Sequence, residues 1–384
     1  MLSNGDRSRR ELLKLATGAA LFSAAPFAVK PAFSASPSDV SLVSRDAPDL
    51  SGKQPRVVLG DGHLIVALSL MLDNPVSVLA GWQGDVPKLS PELYNAYRVR
   101  HPELADIPVL GEAAAPTFSV ERALALKPDV LVLGGAYGPG PADEHLSKRF
   151  ESAGIPVVYV DFYQDPLANT ADSLRLLGKM FGGAAKSRAF EYADLHERRV
   201  ASIRERSQAI SRPRPRVLLE ANAAMQGMGC CWVPGGKGLG KFVTLAGGHN
   251  LGTELAPGRA WLKAEQEHIL TSAPDVYVAT GGPYQRGTSG LEIGPGVSQE
   301  DAKRQLAIAA SASLTRVAAT LPLNRIHGIW HLFHVMPVNI LVMETLAQWL
   351  HPDIFENDDE ALTLDRLNRD FLSVPLEGCF AVSL

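Results

Sequence analysis

Short, fully apolar runs closed by glycine, each following an amphipathic helical stretch, punctuate the chain. ERALALKPDVLVLGG, Glu121 to Gly135, contains one of them. EHILTSAPDVYVATG, Glu267 to Gly281, repeats it with Glu, Leu, Pro-Asp-Val, Val and Gly at the same offsets. In both, the helical pattern ends before Pro-Asp, and a β-branched apolar run then reads as a buried strand. A strand with no polar face, reached from a helix, predicts a mainly parallel sheet covered on both sides. A shorter echo, PRVVLGDG at Pro55 and PRVLLEAN at Pro215, marks the first strand of each half. The pattern therefore predicts two similar α/β lobes.

Strands are expected at Val57–Leu59, Val76–Leu79, Val130–Leu133 and Val157–Val160 in the first lobe, and at Val217–Glu220, Val276–Ala279 and Ile326–Trp330 in the second. Between the lobes, a helical pattern rich in charge runs from about Leu167 to Ala209, with Gly182-Gly183 set either to kink or to split it. Even 25 helical residues span about 37 Å, enough to bridge two lobes as a strut near 184–209. Pro213 and Pro215 end it. PVNILVMETLAQWL predicts the last long helix, with Pro337 in its first turn. The expected divisions are a signal segment at 1–34, a flexible leader at 35–54, an N-terminal lobe at 55–170, a linker helix region at 171–210 and a C-terminal lobe at 211–384.

Composition narrows the classes. The 384 residues suffice for two cores, and a net charge of −4 advertises no basic nucleic-acid surface. Three cysteines, Cys230, Cys231 and Cys379, cannot build a disulfide scaffold; one bridge from Cys379 to the adjacent pair is conceivable in an oxidising compartment. Residues 1–34 carry a basic start, an Ala-rich apolar stretch broken by Pro26, and a small-x-small site at Ala32-Phe33-Ser34. Ser8-Arg9-Arg10-Glu11-Leu12-Leu13-Lys14 resembles a twin-arginine export signal. Its removal takes away five Lys/Arg and two Asp/Glu, shifting the net charge from −4 to −7. No cysteine precedes Cys230 to carry a lipid anchor. A soluble periplasmic protein, monomeric and without nucleic-acid partners, is expected.

Five segments then fall in a telling order: TFSVERALALKPDVLVLGG, GIPVVYVD with LRLLGKMFGGAAKSRAFEYADLHERRV, LAGGHNLGTEL, AEQEHILTSAPDVYVATGG and LAQWLHPDIF. Together they resemble the periplasmic substrate-binding proteins of ABC transporters for iron-siderophores, haem and vitamin B12, over about residues 55–384. The resemblance implies a class III binding-protein fold: two similar lobes with mainly parallel sheets, bridged by a single long α-helix. It implies a protein that is not an enzyme, has no cofactor of its own, and carries a ferric siderophore or similar iron complex to a permease dimer with its cytoplasmic ATPase. Haem or a corrinoid is the alternative cargo. By position after the repeated strands, Glu144 and Glu300 match the family's exposed permease-docking glutamates, with Glu292 a second choice. An insertion before Thr117 and the GMGCCWVPGG loop depart from the pattern.

Candidate ligand contacts cluster at predicted strand ends, where α/β lobes bind ligands. They are Trp82, Tyr137, Trp232, Arg259, Trp261, Tyr284, Arg286, His331 and His334. Aromatic rings supply contact area and arginine a multi-donor cation for a large anionic chelate. His331 and His334 in WHLFHVMP either touch the periphery of a ligand or bind its metal through imidazole nitrogen. No third metal ligand adjoins them, so no resident metal site is read, although an exported metal-dependent enzyme using these histidines and a cysteine is the rival class. PGGKGLGKF nearly spells a phosphate loop, but Phe242 stands where Ser or Thr would hold Mg²⁺. It reads instead as a glycine-rich turn entering a helix. No G-x-S-x-G or H-E-x-x-H motif is present.

Overall fold

The computed structural model describes residues 42–140, 143–229, 231–256, 258–313, 317–356, 358–359 and 361–384. The expected signal segment lies outside the described residues. The first sheet contains β1 (Val57–Leu59), β2 (Leu79–Trp82), β3 (Val130–Leu133) and β4 (Val157–Tyr159), in the order β2-β1-β3-β4 and parallel throughout. In the second half, β5 is Arg216–Glu220, β6 Trp232–Pro234, β7 His249–Asn250, β8 Trp261–Lys263, β9 Val276–Gly281, β10 Gly294–Pro295, β11 Ile326–Trp330, β12 Gly378–Cys379 and β13 Ala381–Ser383. Its main sheet has the order β13-β11-β9-β5-β7. The last four of these are parallel, and β13 runs antiparallel along β11. Each lobe therefore lays out its strands as second, first, third, fourth. The other strands form two small antiparallel pairs, β6 with β8 and β10 with β12.

The sequence repeat has a concrete structural cause. In the first lobe the Arg56 N–H donates to Asp129 Oδ2 at 2.8 Å, the Asp129 N–H returns to the Arg56 carbonyl at 2.8 Å, and the Arg56 guanidinium donates to the Leu126 carbonyl at 2.8 Å. The second lobe repeats this clasp with Arg216, Asp275 and the Ser272 carbonyl, again at 2.8 Å for each bond. Lys127 and Ala273 take positive φ values of 48° and 43°, the left-handed turn that stops a helix before Pro-Asp. Pro-Arg and Pro-Asp thus mark the starts of β1 and β3, and of β5 and β9.

Gly182, at φ 67°, splits the long helical pattern into helices Pro166–Phe181 and Gly183–Gln208. A side chain at Gly182 would strike Ser51, so glycine is required there on two counts. The second helix touches both lobes. Arg188 pairs with Asp73 in the first lobe and donates to the Phe371 carbonyl in the second. Farther along, His196 Nε2 meets Asn339 Oδ1 at 2.8 Å, and buried Arg199 reaches Glu344 at 2.7 Å and Asp358 at 2.8 Å.

Several sequence expectations shift. The second strand starts at Leu79 and not at Val76, because Asn74 Oδ1 accepts the N–H groups of Val76 and Ser77 and turns the chain there. Within the described part of the expected leader, 42–54, the chain is anchored at two points while 45–46, 49 and 51–54 are exposed. Leu50 is buried, and Ser44 hydrogen-bonds Tyr159 at the open edge of β4, its N–H donating to the Tyr159 carbonyl at 3.0 Å. Pro337 precedes the last long helix, which runs Ile340–Leu350 after Asn339. Cys379 is a free, buried thiol, so the Cys379 bridge is not formed. Among the described residues, no helix is long and apolar enough to cross a membrane.

Candidate functional site between the lobes

The carboxyl ends of the two parallel sheets face one another, and the loops leaving them meet. From the first lobe come Asp61 and His63 after β1, Tyr137 after β3 and Tyr163 after β4. From the second come Asn222 after β5, Tyr284 after β9, and His331 and His334 after β11. Trp261, the first residue of β8, lies beside them. Its ring centroid is 5.4 Å from His331 and 6.1 Å from His334, and Tyr163 reaches across from the other lobe to within 6.4 Å of His334. The two histidine rings stand edge to face at 5.2 Å. His331 Nδ1 is 2.8 Å from Thr280 Oγ1, and the Tyr284 hydroxyl donates to Asn222 Oδ1 at 2.5 Å.

Burial dominates the electrostatics here. It lowers His334 to about 4, and with the neighbouring His334 it holds His331 well below the usual imidazole range. It raises Tyr163 to about 12 and drives Tyr137 and Tyr284 far above the phenol range. At neutral pH His331 and His334 are therefore neutral imidazoles, and Tyr137, Tyr163 and Tyr284 are protonated phenols.

Ion pairs cross the seam beside this layer. Arg286 of the second lobe reaches Glu92 of the first at 2.7 Å while also holding Glu292 at 2.7 Å. Lys241 reaches Asp165 at 2.5 Å. Arg286, expected to meet ligand, is thus engaged with two carboxylates. Lys241 of the near-phosphate loop is an inter-lobe contact too. The glycines of that loop answer to close backbone approach: a side chain at Gly240 would strike the Gly235 carbonyl, and one at Gly235 the carbonyls of Ala256 and Arg259. Asn250 ties the loop down, its amide donating to the Pro234 and Gly235 carbonyls at 3.0 and 2.9 Å.

The remaining predicted residues scatter. Trp82 is 1% exposed and packs in the first lobe's core beside Tyr94, because it ends β2 and does not follow it. Trp232 opens β6, half-buried and opposite Lys263, while Arg259 is exposed. Tyr137, Trp261, Tyr284, His331 and His334 are the predicted contacts that gather at the seam. Glu144 and Glu300 are both exposed in the first turn of the helix that follows the repeated strand, Glu144–Ser152 in one lobe and Gln299–Ala312 in the other. Glu292 is mostly covered by its pairing with Arg286.

Sequence reasoning missed a buried trio. Asp61, His63 and Asp85 bring potential ligand atoms within 4.8 Å of one another. His63 Nδ1 meets Asp85 Oδ2, and Asp85 Oδ1 accepts the Gly62 N–H at 2.7 Å. Asp61 accepts from the N–H groups of His63 and Tyr137. Burial, and then the neighbouring Asp85 charge, raise Asp61 to about 7. Tyr137 lies 6.0 Å from the His63 ring, linking the trio to the seam. The trio can hold a proton or a cation; GDGH and QGD, some twenty residues apart, are its only trace in the sequence.

Residues 73–317 match the model of the periplasmic binding protein family. No curated protein matches the chain. Among solved structures it is similar to the TroA-like periplasmic binding protein FepB from Veillonella parvula, with 21% identity, 89% of this chain and 97% of that one covered, and a TM-score of 0.72. It is similar also to a periplasmic heme-binding protein from Pseudomonas aeruginosa (20% identity, 85% and 98% covered, TM-score 0.52) and to the molybdate-binding MolA of Haemophilus influenzae (17%, 84% and 94%, 0.57). At these identities the structures speak for the fold alone, and they agree with two parallel α/β sheets facing across a seam. With the family model covering well over half of its length, the chain belongs to the periplasmic binding proteins.

Proposed function

We propose that this chain is the exported solute-binding component of an ABC importer, and that it captures a ferric siderophore or similar iron complex between its lobes for delivery to a permease. The observation that carries this reading is the seam itself. Tyr137, Tyr163, Trp261, Tyr284, His331 and His334 converge at the carboxyl ends of two facing parallel sheets, where ligands of α/β folds bind. Flat aromatic area with few, well-separated polar atoms suits a large, planar-faced chelate better than a bare oxyanion, which would call for a ring of cationic or N–H donors. The family matched by residues 73–317 supports the carrier role. Glu144 and Glu300, at equivalent exposed positions of the two lobes, are the proposed permease contacts.

Native mass spectrometry of the exported protein from iron-starved and iron-replete cells tests the reading. The expected result is an iron-containing adduct on the starved sample whose mass identifies the chelate. An adduct of haem or corrinoid mass would redirect the cargo assignment. Apo protein from both cultures, with no change in tryptophan fluorescence on adding ferric chelates or haem, would overturn it.

A further inference from the structure

Two carboxylates and one imidazole are sealed together in the first lobe, behind Tyr137. The side chains of Asp61, His63 and Asp85 are 4%, 2% and 0% exposed. Among the described residues, neither carboxylate pairs with a lysine or an arginine, and both face His63. Buried charges are normally paired or bound to a metal. Here two potential negative charges meet one potential positive charge. A divalent cation on two carboxylates and a neutral imidazole would leave no net charge behind. In the metal-free chain protons must do the same, and Asp61, raised by burial and then by the Asp85 charge, holds one more readily than an ordinary carboxyl. The contacts around the trio also suit a metal. His63 Nδ1 lies 4.0 Å from Asp61 Oδ1 and directly against Asp85 Oδ2. Behind the ring, Nε2 is 3.3 Å from the fully buried Ser90 Oγ. With Nδ1 on a metal, Nε2 bears the proton and donates it to that oxygen, as the outer partner of a metal-bound histidine accepts it. The carboxylates are oriented likewise. Asp85 Oδ1 accepts the Gly62 N–H at 2.7 Å and Asp61 Oδ2 the Tyr137 N–H at 3.2 Å, while the His63 N–H is shared between Asp61 Oδ1 at 3.1 Å and Asp85 Oδ2 at 3.2 Å. Glycine at 62 permits this approach, since a side chain there would strike the Gln83 carbonyl and Asp85 Oδ1.

We propose that Asp61, His63 and Asp85 form a site for a divalent transition-metal ion of the chain's own, separate from the cargo, which ties together the loops after β1, β2 and β3 and so fixes the loop that carries Tyr137. The three ligand atoms all lie within 4.8 Å of one another, so small side-chain rotations bring them to about 2.0–2.2 Å from one ion. One imidazole with two carboxylates suits Zn²⁺ and its first-row neighbours; Ca²⁺ asks for six or more oxygens and Mg²⁺ keeps several waters in a near-ideal octahedron. On binding, the ion sheds water and the two protons that neutralise the metal-free trio leave, so charge balances. The inference stands whatever the seam carries, because all three ligands belong to one lobe.

The test uses the full chain, stripped with a chelator and dialysed. Zn²⁺ is titrated against a chromophoric competitor, and Co²⁺ is titrated for its visible d–d absorption, which reports the ligand set. The expected result is one Zn²⁺ per chain, not displaced by Mg²⁺ or Ca²⁺. Ser90→Ala should weaken it by about 10- to 100-fold, as the loss of an orienting partner does. His63→Gln and Asp85→Asn, each checked for folding by circular dichroism, should weaken it further and abolish the Co²⁺ spectrum. In wild type, Zn²⁺ should slow amide exchange in peptides covering 134–138 and leave β5 and β9 unchanged, a readout that needs no cargo. Failure of wild type to bind Zn²⁺ stoichiometrically overturns the proposal, however the variants fold. So does a bound Zn²⁺ whose affinity is the same in Ser90→Ala and His63→Gln but is lost with His331→Ala, since that ion would sit with the histidines of the other lobe. Zn²⁺ bound at the trio with exchange at 134–138 unaltered would overturn the tie to Tyr137. None of these outcomes bears on iron-chelate capture, which the mass-spectrometric experiment decides separately.

Discussion

Removing the two ion pairs that cross the seam, with Glu92→Gln and Asp165→Asn together, should loosen the closed arrangement without unfolding either lobe. These variants are chosen because Arg286 keeps Glu292, at 2.7 Å, when Glu92 is neutralised. The side chains of Glu92 and Asp165 are 24% and 31% exposed, and their partners Arg286 and Lys241 are 57% and 36% exposed. Pairs this open to solvent each contribute about 0.2–1 kcal/mol. The two together then bias the lobes toward closure by about 0.4–2 kcal/mol, which shifts the open fraction by about 2- to 30-fold. Amide hydrogen exchange reads this directly. Peptides covering 134–138 and 282–286, the loops that carry Tyr137 and Tyr284, should exchange faster by that factor, while those of β1, β3, β5 and β9 should not change. The difference should shrink in 1 M salt, where the screening length falls to about 3 Å. Unchanged exchange in the two loops would show that these pairs do not hold the lobes together. Equal acceleration everywhere would show that they stabilise the fold as a whole.

Asp61→Asn should change how stability depends on pH. Asp61 is raised to about 7 from an ordinary 3.8, chiefly by burial, so the folded state holds a proton that the unfolded state releases, and stability is lost as pH climbs from about 4 to about 7. The interval sets a ceiling of about 4 kcal/mol. The buried, lowered histidines bend the wild-type profile the other way, so the comparison is between proteins: in urea titrations from pH 4 to 8 the variant should gain on wild type as pH rises, and parallel profiles would exclude this assignment. Charge reversal at both lobe tips, Glu144→Lys with Glu300→Lys, should leave cargo affinity unchanged while abolishing uptake; transport at the wild-type rate by the double variant would dismiss the docking role.

The fold was legible because its signals are backbone rules. Pro-Arg and Pro-Asp mark strand starts through the clasps of Arg56 with Asp129 and Arg216 with Asp275, and neither depends on what a lobe binds. Placement at the seam was less legible. A three-residue error in the start of β2 put Trp82 past a strand that it in fact ends, and so turned a core residue into a surface one. Arg286 looked available because sequence does not show which carboxylates from the other lobe will meet it. Tyr163 and the Asp61–His63–Asp85 trio went unnoticed for a related reason: their meaning arises when loops after different strands converge, and no spacing along the chain records that.

The paired clasps bear on misfolding. In a sheet buried on both faces, strand residues are apolar on both sides, so sliding a neighbour by one residue buries nearly as much apolar surface as the correct match and the pattern itself discriminates weakly. VVL against VLVL, and RVLLE against VYVATG, are such ambiguous partners. Arg56 and Arg216 remove the ambiguity, since three bonds at each strand entrance close only when the strands are aligned as observed. They act as register pins, and weakening one should favour slipped, aggregation-prone chains during folding more than it disturbs the finished protein.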